Sequence, residues 1–149
     1  MDALDIKILD ILQKNARTPN TEIAKELDRV PSAILERIKR LEAQGIIQGY
    51  RARINPKAVE LSVVAFVMIQ TNTINWSDSL GSKLAEIPHI EDVYEVLGEE
   101  SYLVKVRVKD TDQLSDLLKN TLGKIPEIQV TNTSLAVKAV KEQGEFPLL

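Results

Sequence analysis

The chain has 149 residues, of which 44% are hydrophobic and 28% are charged, a composition typical of a globular protein with a packed core. It contains no cysteine and a single histidine, which excludes a disulfide framework and a multi-histidine zinc site, so we expect neither a metal nor a cofactor. The first residues lack the basic, apolar pattern of a leader peptide, and no apolar run approaches the ~20 residues of a membrane span. We therefore expect a soluble, cytoplasmic protein without a membrane partner.

The net charge of −3 conceals an uneven distribution along the chain, and distribution matters more than total charge for binding nucleic acid. Residues 1–60 carry 11 basic and 9 acidic side chains, whereas residues 61–149 carry 8 and 13. Residues 29–57 contain seven bases and two acids. The bases are Arg29, Arg37, Lys39, Arg40, Arg51, Arg53 and Lys57. The sequence thus predicts a local cationic surface.

Apolar residues at helical spacing predict three helices in the first 45 residues. The first covers residues 2–15, a short second covers residues 21–27, and the third runs from Pro31 to Gln44 and ends at Gly45. Two helices joined by a three-residue turn, the later one amphipathic and basic, are typical of a helix-turn-helix domain whose later helix enters the major groove of double-stranded DNA.

The third helix has a polar face that we interpret as a DNA-reading surface. With Ile34, Ile38 and Leu41 turned inward at roughly 100° per residue, the remaining side chains point outward or towards the flanks. The candidate contacts with bases or phosphates on this helix are Ser32, Ala33, Leu35, Glu36, Arg37, Lys39 and Arg40. A solvated helix face is the competing interpretation, and a structural ion pair is the competing role for Arg37.

The segment after the third helix alternates polar and apolar residues from Ile47 to Ile54, which predicts a hinge strand over residues 46–54. Arg51 and Arg53 lie on one side of that strand as further DNA-backbone candidates, or as solubilising charges. Domain limits are predicted at residues 1–54 for the helix-turn-helix and hinge strand, 55–61 for a linker, and 62–149 for a second domain.

The second half alternates short strands and helices. Strands are predicted over residues 63–71, 90–97, 102–108 and 127–141, and helices over residues 77–87 and 111–122. This βαββαβ order indicates a ferredoxin-like sandwich, which makes the whole chain an α+β protein.

The first of these strands has apolar residues on both of its faces over Val63–Ile69, whereas a strand with one solvated face alternates. Two helices cover one face of such a sheet, so the other face needs a different cover. We predict a homodimer in which a second copy supplies it. A dimer also gives a single reading helix two half-sites about one turn of DNA apart.

These residues resemble the Lrp/AsnC family of prokaryotic transcription regulators over nearly the whole chain. The resemblance lies in Leu4–Leu9, Asn15–Arg17, Glu22–Ala24, Ile34, Arg37–Ile47, Tyr50 and Asn55–Pro56, and in the second half in Val93–Glu95, Gly98, Tyr102–Val104, Ile125–Pro126 and Thr131–Thr133. It implies a winged helix-turn-helix joined to a ferredoxin-like dimerisation domain. It also implies dimers that assemble further to tetramers or octamers, and an effector, usually an amino acid, bound between dimers.

The chain departs from the family pattern at two places. Asp28–Val30 stands where the family has Gly-Leu-Ser between the second and third helices. Aspartate tolerates left-handed backbone, so we expect the turn to form. We also expect Ser32 or Asp28 to help cap the third helix. Ser101 stands where the family has an aspartate, which weakens the case for amino-acid sensing. The effector candidates are Gly98, Glu99, Glu100, Ser101, Tyr102, Thr131 and Thr133.

Two other classes compete with a regulator. A ferredoxin-like enzyme is one, although the sequence has no phosphate-binding glycine loop, no cysteine and no recognisable partner for its one histidine. A small-molecule sensor whose DNA domain is non-functional is the other. We predict a DNA-binding transcription regulator and not an enzyme.

Overall fold

The computed structural model describes residues 1–71, 79–98, 101–142, 144 and 147–148. The chain divides into two compact units, one formed by Met1–Arg53 with the described part of Lys141–Leu149, the other by Ile54–Val140. These units follow from packing within one chain, and the domain limits at 1–54, 55–61 and 62–149 stay a prediction. None of the helices in the described ranges has the length and apolar composition needed to cross a bilayer.

The first unit contains the three predicted helices, α1 (Ala3–Lys14), α2 (Asn20–Glu26) and α3 (Pro31–Ala43). Their apolar stripes meet in one core, as the helical spacing predicts. The buried residues of this core are Ile8, Leu12, Ile23, Ala24, Ile34 and Ile38. The prediction of three helices in this order is confirmed.

The turn between α2 and α3 forms without the family's glycine. Asp28 adopts a left-handed conformation with φ of 52°, and the N–H of Arg29 donates to the carbonyl of Ala24 at 2.8 Å. This is the bond that closes a helix end with a left-handed residue. The expected capping of α3 is wrong: Val30 precedes the helix without a side-chain cap, and Pro31 in the first turn has no N–H that needs one.

The hinge strand predicted over residues 46–54 is not formed within this chain. A strand requires a neighbour for its backbone hydrogen bonds, and the described part of the first unit contains no other strand. The segment is anchored at Tyr50, whose Oη donates to Oε1 of Glu42 at 2.8 Å. Burial, together with the adjacent carboxylate, raises the pKa of Tyr50 to about 12.

The second unit has the predicted βαββαβ order. Its strands are β1 (Val63–Thr71), β2 (Ile90–Glu95), β3 (Tyr102–Val108) and β4 (Ile128–Ala136), and its helices are α4 (Ser79–Ala85) and α5 (Thr111–Asp116). The strands form one antiparallel sheet in the order β2-β3-β1-β4. After Asp116 the chain continues as a π-helical turn, Leu117–Thr121, and a 3₁₀ turn, Leu122–Lys124. A short 3₁₀ turn, Pro56–Val59, precedes β1.

One face of the sheet packs on the helices. Residues 65, 67 and 69 of β1 are fully buried there, beside residues 102, 104 and 106 of β3. Leu80 and Leu84 of α4 and Leu114 of α5 complete this core. The alternate residues of β1 lie on the opposite face, which we call the open face.

Several element ends differ from the prediction. β4 stops at Ala136 instead of residue 141, because Ala136 pairs with Val64 at the very start of β1 and later residues find no partner. β2 stops at Glu95 instead of residue 97. The predicted start of the helix at residue 77 lies outside the described residues.

Candidate nucleic-acid interface and effector region

The face of α3 that sequence periodicity predicts to point outward is exposed. Ser32, Leu35, Glu36 and Lys39 are all exposed, with Leu35 at 42%, while Ile34, Ile38 and Leu41 are buried beneath them. We call these four exposed side chains the reading face. They offer a hydroxyl, a methyl surface, a carboxylate and an ammonium, which between them match base edges, a thymine methyl and phosphate. Ala33 is half-buried at the edge.

The two arginines of α3 turn away from the reading face towards the start of α1. Nη1 of Arg37 lies 2.7 Å from Oδ2 of Asp2 and 2.8 Å from Oδ1 of Asp5. Nη2 of Arg40 lies 3.0 Å from both carboxylate oxygens of Asp5. We call these four residues the acid–arginine cluster. The geometry therefore supports the ion-pair alternative for Arg37, and it engages Arg40 in the same way.

Asp5 is the buried centre of this cluster, with 1% of its surface exposed. Its oxygens accept hydrogen bonds from both arginines and, at 2.9 Å, from the backbone N–H of Asp2. Burial raises the pKa of Asp5, but these donors and the nearby positive charges outweigh it and hold the pKa below its ordinary value. Asp5 is therefore an ionised carboxylate inside the first unit.

The helix start itself depends on the same acids. Asp2 caps α1 by accepting from the N–H groups of Leu4 and Asp5, each at 2.9 Å. In return the N–H of Asp2 donates to the Asp5 carboxylate, which completes a capping box. The hydrogen bond from Arg37 lowers the pKa of Asp2 from 3.8 to about 2. Neither acid was among the candidates predicted from the sequence. Their link to α3 depends on how α1 and α3 pack.

The other cationic candidates lie outside the cluster. Lys39 makes no ion pair with any residue in the described ranges. Arg51 is exposed, and so is Arg53, whose Nη2 is 3.5 Å from the carbonyl oxygen of Glu142. Arg29, which sequence analysis counted only as local charge, is exposed beside the turn, and its Nη1 donates to the carbonyl of Asp28 at 2.6 Å.

The effector candidates of the second unit are only partly brought together. Ser101 is fixed beside β1, since its N–H donates to the carbonyl of Ile69 at 2.8 Å and its Oγ lies 3.2 Å from Oγ1 of Thr71. Thr131 pairs with Ile69 from the other side. Three hydroxyl-bearing residues therefore lie near one end of β1.

The remaining candidates are dispersed. Thr133 lies farther along β4, opposite Val67. Tyr102 is 7% exposed in the core, and a Cβ placed at Gly81 of α4 would lie 3.3 Å from its ring. Gly98 is exposed with φ of 143°, and Glu99 and Glu100 lie outside the described residues. Thr71 was missed, because only the strand register shows that it lies beside Ser101.

Comparisons with known proteins agree with both units. A family described as a winged helix-turn-helix DNA-binding domain matches residues 1–48, and one described as the Lrp/AsnC ligand-binding domain matches residues 64–146. The HTH-type transcriptional regulator FL11 of Pyrococcus furiosus is 36% identical over 148 residues, which is 99% of this chain and 97% of the relative.

Solved structures agree as well. Escherichia coli AsnC superposes with a TM-score of 0.91 at 31% identity, covering 99% of each chain. A transcriptional regulator of Neisseria meningitidis, solved in complex with L-methionine, superposes with a TM-score of 0.93 at 29% identity, covering 99% of this chain and 97% of that one.

A helix-turn-helix unit with an exposed reading helix, linked to a ferredoxin-like ligand-binding domain, defines a DNA-binding transcription regulator. The chain belongs to the Lrp/AsnC family of such regulators. The enzyme alternative is set aside, because FL11 and the Neisseria protein are named as transcriptional regulators.

Proposed function

We propose that the chain reads a specific DNA sequence through the reading face of α3, in the cytoplasm, as a two-fold dimer. The observation that carries the proposal is the set of four exposed side chains over a buried apolar stripe. One short helix makes only a few base contacts, so useful specificity needs two copies on half-sites about one helical turn apart. Arg29, Arg51 and Arg53 are exposed and are candidate phosphate contacts, and Ala33 is a candidate at the edge of the reading face. Arg37 and Arg40 are engaged by Asp2 and Asp5.

The dimer that the proposal requires is supported by the open face of the sheet. Phe66 and Met68 of β1 are 37% and 39% exposed, and Tyr94 of β2 is 55% exposed. By strand register they share a face with Leu103 and Lys105 of β3. An apolar face of this kind favours association. We propose that the dimers assemble further to tetramers or octamers, as the family resemblance implies.

The cationic end of the open face is only partly neutralised within the chain. Glu91 of β2 forms ion pairs with Lys105, at 3.0 Å, and with Arg107 of β3. Burial raises the pKa of Glu91, but the hydrogen bonds from Arg107 and Lys105 outweigh it and hold the pKa below its ordinary value. Among these three residues two cations face one carboxylate, so a second sheet packed on this face must accommodate a net charge of +1.

Selection of bound duplexes from a random DNA pool tests the DNA proposal. We expect enrichment of a loosely palindromic sequence whose half-sites are about one helical turn, or roughly 10 base pairs, apart. Enrichment of an asymmetric sequence would contradict the two-fold arrangement. Failure to enrich any sequence would contradict specific reading altogether.

We further propose that an amino acid binds the second unit near Ser101, Thr71 and Thr131. The support is the contact between the Ser101 and Thr71 hydroxyls, the pairing of Thr131 with Ile69 near the same end of β1, and the L-methionine complex of the Neisseria regulator. Hydroxyls can donate to a carboxylate and accept from an ammonium group. Gly98, Tyr102 and Thr133 stay as effector candidates, and so do Glu99 and Glu100, which lie outside the described residues.

Calorimetric titration of the full chain with each of the twenty amino acids tests this site. We expect binding of at least one amino acid, weakened about tenfold by Thr131→Val, which removes one hydrogen-bonding hydroxyl and keeps the shape. Ser134→Ala is the matched control, since Ser134 lies on the open face of the same strand opposite Phe66. Absence of heat with all twenty would rule out an amino-acid effector.

A further inference from the structure

The acid–arginine cluster links the beginning of α1 to the middle of the helix that reads DNA. Asp5 is separated by 32 residues from Arg37 and by 35 from Arg40. Two carboxylates face two guanidinium groups, so the cluster is electrically balanced. It contributes none of the four side chains of the reading face.

The apolar core beneath α3 does not by itself fix the orientation of this helix, and the acid–arginine cluster adds directional contacts. Ile8 and Leu12 of α1 pack on Ile34 and Ile38 of α3, and such aliphatic contacts are favourable without fixing a direction. Guanidinium–carboxylate hydrogen bonds are directional and tolerate little rotation. Two successive arginines on one flank of α3 contact the same buried carboxylate. These contacts therefore define the rotation of α3 about its axis relative to α1.

Stability alone is a weak reason for such a cluster. Taking a carboxylate out of water is costly, and a buried ion pair is often no more stabilising than apolar residues of the same volume. The 1% exposure of Asp5 makes this cost large, whereas Arg40 stays half exposed. What apolar residues do not supply is a unique geometry.

We propose that Asp5 is a positioning residue for DNA recognition. Through Arg37 and Arg40 it holds α3 at the angle at which the reading face meets the base edges, while Asp5 itself contacts no DNA. This inference rests on the proposed function of α3 as the reading helix. Small errors in the placement of such a helix affect the base contacts, which depend on short hydrogen bonds, more than the phosphate contacts.

The test is Asp5→Asn in the full chain, compared with Asp10→Asn. Asparagine keeps the shape of the side chain and an oxygen that can accept from the N–H of Asp2, but it has no charge to hold two guanidinium groups. Asp10 is a half-exposed acid of α1 paired with Lys14 at 2.6 Å, so its substitution changes the net charge by the same amount and leaves the contacts between Asp5 and α3 in place. Circular dichroism establishes a temperature at which each variant is folded.

The probes are the duplex enriched from the random pool and a scrambled duplex of the same length. For Asp5→Asn we expect affinity for the enriched duplex to fall about tenfold, the equivalent of roughly one base contact. Affinity for the scrambled duplex, and the dependence of affinity on salt, should stay as in Asp10→Asn. If the two variants bind the enriched duplex alike, Asp5 has only a structural role and the proposal is overturned.

Two further outcomes would also overturn it. Equal losses on both duplexes with a shallower salt dependence would mean that the arginines contact phosphates, and a gain in affinity would mean that Asp5 competes with DNA for Arg40. If Asp5→Asn does not fold, Arg37→Gln is tested instead, because Arg40 still neutralises Asp5 in that variant. We expect the same selective loss of affinity for the enriched duplex over the scrambled one. A wild-type protein that enriches no sequence fails at the earlier step and overturns the proposed function together with this one.

Discussion

At the scale of single residues, counting charges along the sequence overstates the positive charge that α3 offers to DNA. Residues 29–57 hold seven bases and two acids, but Asp2 and Asp5, which lie outside that window, engage Arg37 and Arg40. The exposed face was predictable because it depends only on helical spacing within α3. The ion pairs were not, because they depend on the packing of two helices more than 30 residues apart.

Lys39 and Arg40 should therefore behave differently when each is replaced by alanine. Lys39→Ala should weaken binding to all duplexes and lower the slope of log affinity against log salt concentration by about one, because one phosphate contact is lost. Arg40→Ala should lower the free energy of unfolding by about 1.5–3 kcal/mol, because Asp5 loses a charged hydrogen-bond partner. Fluorescence anisotropy at several salt concentrations and urea unfolding measure the two effects.

Lys119→Ala, an exposed lysine of the second unit, serves as the control for these two variants. It should change neither the salt slope nor the free energy of unfolding. If Lys39→Ala leaves the salt slope unchanged, the ammonium of Lys39 does not contact DNA phosphate. If Arg40→Ala leaves the unfolding curve unchanged, the bond from Arg40 to Asp5 adds no stability.

The depressed pKa of Asp2 predicts a specific loss of stability in acid. Its value of about 2 in the folded protein lies below the ordinary 3.8, so the folded state is favoured while the carboxylate is ionised. That contribution is complete above the ordinary value and is lost as the pH falls from about 4 towards 2. The thermal midpoint of the wild type should fall more steeply over this range than that of Asp2→Asn. Parallel pH profiles for the two proteins would show that Asp2 is not linked to Arg37 in solution.

At the scale of elements, the sequence predicts what is local and misses what depends on a partner strand. The turn before α3 forms with Asp28 in place of glycine, as expected, because aspartate tolerates left-handed backbone. The strand over residues 46–54 does not form, and β4 ends five residues early, because strand formation requires a neighbour that the sequence pattern does not reveal.

The left-handed conformation of Asp28 predicts that Asp28→Gly stabilises the protein. Glycine adopts a φ of 52° without steric cost, and the gain should be about 0.5 kcal/mol after allowing for the greater freedom of glycine in the unfolded chain. Lys25→Gly, three residues earlier inside α2, is the matched control and should destabilise by about 1 kcal/mol. Urea unfolding followed by helical circular dichroism distinguishes the two signs. Destabilisation by both substitutions would mean that the Asp28 side chain itself contributes to the turn.

At the scale of the whole molecule, the order of helices and strands was enough to predict a helical domain followed by a ferredoxin-like one. The family comparison and the sheet order β2-β3-β1-β4 confirm this organisation. The two apolar faces of β1 were also visible in the sequence, and the structure shows which of its residues are exposed: Phe66 and Met68 lie on the open face, away from the helices.

If a second copy covers the open face, a charge placed there should separate the protomers. Phe66→Asp replaces an aromatic side chain of the open face by a carboxylate, which is costly to remove from water even beside Lys105 on the neighbouring strand. We expect the variant to sediment as a monomer at micromolar concentration while the wild type sediments as a dimer or larger. The monomer should also lose affinity for the palindromic duplex, because each reading helix then binds one half-site alone.

Leu97→Asp is the matched control, because Leu97 is 89% exposed and follows β2, so the same charge is introduced outside the strands that form the open face. It should stay at least dimeric and keep its affinity for DNA. A wild type that sediments as a stable monomer would contradict dimerisation. A Phe66→Asp variant that remains dimeric would place the contact between copies elsewhere, and the apolar residues of the open face would then need another cover.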